Sequence, residues 1–315
     1  MADRVMYSLS TMWAQQERFD DMHDFARAAG AFGFDAIEVS HLTDRPQFER
    51  LLDGVSATLK GGPRVKLSSI HAPAPRVQVN GKHNSSLNLA SLDEGERLAA
   101  NEHTRRSIDH TADAGARFVV VHLGAAGSDM LESERKMRRL FDSGTRVGDE
   151  YESLRRETLD RRAEIAPPYL ERAQESLAEL AAHARTRGVA LGLENRLHHH
   201  EIPLPDEARA LLAGYPAELA GYWHDVGHAE VQARLGYVDK HAWLDTNGAR
   251  TLGAHLHDVD GIGDHRAPGR GDVEWDYIAR GLPAAALRVF EINQLEPDEG
   301  VAGAIAFLRE RGVVA

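Results

Sequence analysis

Seven ionisable residues fall at or near the ends of short apolar runs. His71 closes "VKLSSIH", His122 lies in "RFVVVHL", Glu194 in "VALGLEN", Asp225 closes "LAGYWHD", His255 and His257 lie in "LGAHLHD", and Glu291 lies in "LRVFEI". Taken singly each has a plain structural explanation, because a histidine at such a position usually serves as a hydrogen-bonded core residue and a glutamate can pair with a buried arginine. Their recurrence at the same end of successive runs shifts the balance toward a site. Carboxylates buried together repel one another and are driven toward the neutral form unless a cation holds them. A divalent metal is the simplest means of keeping Glu194, Asp225 and Glu291 ionised side by side. Three oxygen donors with His255 suit Mn²⁺, Mg²⁺ or Co²⁺, and Zn²⁺ is also compatible. The chain has no cysteine, so thiolate metal sites, disulfides and a thiol nucleophile are excluded.

Something must bring these residues together from across 315 positions. Eight β-rich runs can be read: 5–10, 35–40, 65–71, 117–123, 189–195, 219–225, 252–258 and 287–292. Most are followed by apolar residues at helical spacing, as in "ESLAELAAHARTRG" (175–188), which ends on a glycine stop signal. "MHDFARAAGAFGF" (22–34) shows the same helix-then-glycine pattern. Eight strands alternating with helices predict a parallel (β/α)₈ barrel, in which the C-terminal strand ends converge on the active site. An open doubly wound sheet is the competitor, disfavoured by the number of units and by the lack of a glycine-rich phosphate loop after the first strand.

No linker divides the chain, so residues 1–315 read as one domain. Two connections are long. The one after strand three (72–91) is loop-like, with Pro, Gly, Asn and Ser; the one after strand four (129–170) is charged and helical in pattern. The latter fits a lid or a subunit contact, or simply a solvated helix. "HHH" at 198–200 is internal and falls in the loop after strand five. Asp and Glu outnumber Lys and Arg by 49 to 37, a net charge of −12, which argues against non-specific nucleic-acid binding. No run approaches a membrane span and the first ten residues lack a signal-peptide core, so a cytoplasmic protein is the expectation.

The motifs "SSIHAP" (68–73), "VVVHLG" (119–124), "LGLENR" (191–196), "HDVGHA" (224–229), "HLHDVDG" (255–261), "PGRGDVEW" (268–275) and "VFEI" (289–292), in this order, resemble the xylose-isomerase-like TIM-barrel superfamily across nearly the whole chain. That group includes sugar and sugar-phosphate isomerases and epimerases, an inosose dehydratase and endonuclease IV. The resemblance implies one divalent metal held by Glu194, Asp225, His255 and Glu291, with Glu194 and Glu291 as the acid/base pair. It places His228, in the family's Asp-x-x-His element with Asp225, toward substrate oxygen or the metal shell, and His71 and His122 at substrate-binding positions. The implied chemistry is glutamate-mediated proton transfer next to a metal-polarised carbonyl, through a cis-enediolate, on a small carbohydrate. Epimerisation, isomerisation and dehydration all share that first half.

The sharpest rival is an endonuclease IV-like zinc phosphodiesterase, with His71, His122, His255 and His265 as further zinc ligands. Against it, Gly263 stands where that pattern wants Asp, Asp264 is directly adjacent to His265, and Ala74 replaces an expected aromatic residue. Arg196, His257, His265 and Arg266 are further candidates for substrate contact, Arg266 and Arg270 lying on a loop suited to close over an anionic group. Alternation along the seventh strand puts His257 on the side of His255 and turns Asp258 away to orient a neighbour. Families of this kind often form dimers and tetramers, so a homo-oligomer is compatible with the sequence.

Overall fold

The computed structural model describes residues 6–16, 18, 19, 21–56 and 65–315. Eight parallel strands form a closed barrel: β1 (Tyr7–Ser10), β2 (Ala36–Val39), β3 (Lys66–Ala72), β4 (Phe118–Val121), β5 (Ala190–Glu194), β6 (Ala220–Asp225), β7 (Thr251–Leu256) and β8 (Leu287–Phe290). Each pairs with its sequence neighbours, and Leu9↔Phe290 closes β1 on β8. All eight expected strands are present; Val5, assigned to the first, lies outside the described residues.

The helices are α1 (Met22–Ala31), α2 (Arg45–Ser56), α3 (Glu94–Asp113), α4 (Glu132–Asp142), α5 (Asp149–Arg187), α6 (Pro205–Leu212), α7 (Val226–Arg234), α8 (Ala242–Asn247), α9 (Trp275–Gly281) and α10 (Asp298–Glu310). Among the described residues no helix is long and apolar enough to cross a membrane. Asp21 caps α1 by accepting from the His23 amide, and left-handed Gly188 (φ 68°) ends α5 where the sequence signalled a stop.

Inside the barrel, Trp223 packs on Val120, Leu287 and Val289 and is fully buried. The indole fits because its flanking strands carry glycine: a Cβ at Gly192 or Gly253 would lie 2.6 or 2.5 Å from the ring. Aromatic bulk thus fills the interior below the strand ends, leaving the ends themselves to the polar residues.

The charged insertion after β4 differs from two separate segments: α5 runs 39 residues and fuses it with the helix that precedes β5. Glu134 of α4, fully buried, accepts from the His199 amide (3.1 Å) and contacts His198 Nδ1 (3.1 Å). The insertion is therefore clamped onto the histidine-rich loop after β5. A second departure follows β7, where Asp258–Asp260 pairs antiparallel with Gly263–Arg266 and this short ribbon folds His265 back over the barrel mouth.

Candidate active site

Glu194, Asp225, His255 and Glu291 converge at the C-terminal strand ends, all four buried, each offering a ligand atom within 4.8 Å of the others. His255 Nδ1 lies 2.7 Å from Glu194 Oε1, 3.2 Å from Glu291 Oε2 and 3.6 Å from Asp225 Oδ2. Burial alone would push these carboxylates up. Their histidine neighbours outweigh it and hold all three well below the usual carboxylate range: His71, His122 and His255 for Glu194, His228 and His257 for Asp225, His255 and His265 for Glu291.

Asp225 is fixed from several directions. Its Oδ1 caps α7 by accepting from the His228 amide at 2.7 Å, while the Asn195 side chain accepts from the Asp225 amide (2.7 Å) and donates to its carbonyl (2.8 Å). His257 Nδ1 accepts from the His265 amide (2.8 Å), which leaves Nε2–H to donate to Asp225 at 3.0 Å. Both ring nitrogens of His257, expected at substrate, are thus engaged inside the protein, where the residue props Asp225. The turn between Asp225 and His228 needs its glycine, because a Cβ at Gly227 would lie 2.2 Å from His257 Cε1.

His228 Nδ1 lies 3.0 Å from the Asn195 carbonyl, so Nδ1–H donates and Nε2 turns toward Asp264 Oδ2 at 3.8 Å. His71 stands between the two glutamates, 3.3 Å from Glu194 and 3.4 Å from Glu291; burial opposes its charge, but the two carboxylates raise it to about 9. His122 contacts Glu194 Oε2 at 2.6 Å, yet burial, with Arg196 and His71 adding to it, pushes it down to about 3. Arg196 donates to Glu194 (3.1 Å) and Glu201 (3.0 Å). His265, at φ 56°, stacks on His257 and reaches Glu291 Oε2 at 3.4 Å. Arg266, expected at substrate, is instead paired with Glu296 (2.8 Å), as is Arg270 (2.6 Å). Asp258 turns away as alternation required and accepts from the amides of Gly269 and Val273.

Two site residues escaped the sequence reading. Glu38, fully buried on β2, lies 2.9 Å from His255 Nε2 and accepts from Ser69 Oγ at 2.7 Å. A register shift between Ile37 and Glu38 sets Ser69 opposite it. Its signal was available, a charged residue among the apolar neighbours of "AIEV". His41 packs edge-on to His71 and His122, ring centroids 4.7 and 5.2 Å away, and carried no comparable signal.

The donor set fits a divalent cation. Protons on His71 and His255 supply positive charge among the carboxylates, His255 being held well above its ordinary value against burial by Glu291, Glu38 and Glu194. A cation would supply the same charge with release of protons. With Nε2–H given to Glu38, His255 presents Nδ1 to the three carboxylates, as carboxylate-supported metal histidines do.

The chain belongs to the xylose isomerase-like TIM barrel family, whose model matches residues 25–311. No curated protein matches it by sequence. Solved structures with a similar fold include the IOLI protein with a bound zinc atom (14% identity, TM-score 0.67, 98% of each chain covered). A D-psicose 3-epimerase from Clostridium cellulolyticum with D-tagatose is 16% identical (TM-score 0.65, 98% of this chain and 100% of that chain). A 3-keto-D-glucoside 4-epimerase from E. coli is 15% identical with the same TM-score of 0.65 and the same coverage, 98% and 100%. At these identities the likeness is one of fold.

Proposed function

We propose that this protein is a divalent-metal-dependent sugar isomerase or epimerase that moves a proton between a substrate carbon and a glutamate. The observation that carries the reading is the pair Glu194 and Glu291, which flank one point, His255 Nδ1, at 2.7 and 3.2 Å inside a buried centre. Similar folds known as sugar epimerases support it. Glu194, Asp225, His255 and Glu291 would hold the cation, which would supply positive charge to polarise a substrate carbonyl. Both glutamates stay ionised and so serve as bases toward an acidic C–H beside that carbonyl. For isomerisation the glutamate that took the proton returns it at the neighbouring carbon; for epimerisation the second glutamate, having taken a proton from His71, delivers it to the opposite face. His71, protonated between the two glutamates, steadies both, and His122, His228 and Arg196 present polar groups around the same cavity.

Deuterium exchange from D₂O into candidate ketoses tests this. Manganese-loaded wild type exchanges the proton and Glu291→Gln does not; normal exchange in that variant would sink the acid/base assignment. The clusters His41–His71–His122 and His228–Asp264–His265, which also bring ligand atoms within 4.8 Å, favour a second reading as a multi-zinc phosphodiesterase. Metal analysis of protein purified without chelators separates the two: about one ion per chain upholds the isomerase, about three zincs the phosphodiesterase.

A further inference from the structure

A cleft of about 780 Å³ runs outward from the carboxylate centre, with His122 and Arg196, both in contact with Glu194, on its inner wall. Its outer walls are built from the insertion after β3, from 124–128 and from Tyr169 of α5. A hexose displaces on the order of 180 Å³, about six water volumes, so one ring leaves most of this space unfilled.

The walls are polar without favouring an anion. Their lysine and arginine side chains are Lys82 and Arg196, against Asp93, Glu96 and Glu201, and Arg196 is already held by Glu194 and Glu201. Burial pushes His200 down from the ordinary histidine value, so it adds no cation to the cleft. A phosphate would find no uncommitted cation cluster here. His200, only 6% exposed, lines the cleft, and its Nδ1 is buried without a hydrogen-bond partner. Half-buried Tyr169 adds an aromatic surface of the kind that packs against the C–H face of a sugar ring.

We infer that this cleft binds the second ring of a neutral two-ring saccharide whose carbonyl-bearing ring reaches Glu194 and Glu291, an inference that rests on the isomerase or epimerase reading. Calorimetric titration of manganese-loaded protein with fructose and with the ketose disaccharides lactulose, turanose and isomaltulose tests it, since these differ in where the second ring is attached. At least one disaccharide binds tenfold or more tighter than fructose. Ser86→Trp, which fills the cleft from an exposed position away from the metal ligands, removes that gain while fructose affinity, metal content and melting temperature hold; Tyr169→Ala weakens the disaccharide several-fold. The inference is overturned if no disaccharide exceeds fructose, if Ser86→Trp leaves the gain intact, or if fructose 6-phosphate binds tenfold tighter than fructose. Deuterium exchange read in parallel keeps the two readings apart. Exchange without a disaccharide gain removes the cleft assignment alone, whereas a gain without exchange upholds the cleft and removes the isomerase.

Discussion

Glu38→Gln isolates the charge behind His255, the histidine of the proposed metal site. Both Glu38 oxygens are engaged, Oε1 with His255 Nε2 at 2.9 Å and Oε2 with the Ser69 hydroxyl at 2.7 Å. Glutamine keeps the shape and, with its oxygen toward His255, keeps that hydrogen bond, while Ser69 can turn to accept from the amide. What is lost is the difference between a charged and a neutral hydrogen bond, about 1–2 kcal/mol. That corresponds to roughly 5- to 30-fold weaker metal binding, in line with the 10- to 100-fold cost typical of carboxylates that support a metal histidine. Manganese affinity by titration calorimetry, with bound metal checked by elemental analysis, reads the effect without recourse to activity. Chelator-treated protein should also melt somewhat lower, because Glu38 is one of the carboxylates that face the charged, buried His255 there. Glu38→Ala strands the His255 Nε2–H and should also lower stability by about 1–3 kcal/mol. Wild-type manganese affinity in Glu38→Gln would refute the reasoning.

Gly227→Ala puts a Cβ against the His257 ring and should cost about 1–3 kcal/mol in urea unfolding, with weaker manganese binding as Asp225 loses its prop; unchanged values for both would mean that His257 yields without consequence. Glu201 gives a pH dependence. Burial opposes its charge, but Arg196 and His198 outweigh it and lower its carboxyl from 4.5 to about 2. A depressed carboxylate contributes stability that is fully present above the unfolded value and is lost as pH falls toward the folded one, here from about 4.5 down to about 2, at most about 3 kcal/mol. Glu201→Gln should therefore flatten the acid limb of unfolding in that window, and an unaltered limb would count against the assignment.

The barrel was legible because its information is local. Period-two apolar runs, helix stops such as Gly188 and the even spacing of units require no knowledge of which strand meets which. The carboxylate centre was legible for a related reason: once the strands are parallel, Glu194, Asp225 and Glu291 occupy equivalent ends and must meet. Trp223 in the interior beside Gly192 and Gly253 was not, since complementary bulk and space on neighbouring strands become visible only when the register is known.

What only the tertiary structure decided is which groups stand behind the site. Glu38 reaches His255 across 217 residues because the barrel closes, and a register shift puts Ser69 beside it. His257 becomes a support for Asp225 because the ribbon after β7 returns the His265 amide to its other nitrogen, a contact no strand pattern contains. Arg266 is committed to Glu296 by the approach of the segment after β8. Sequence periodicity fixes which face a side chain occupies; the partner it finds there depends on chain closure and loop return, which no local pattern encodes.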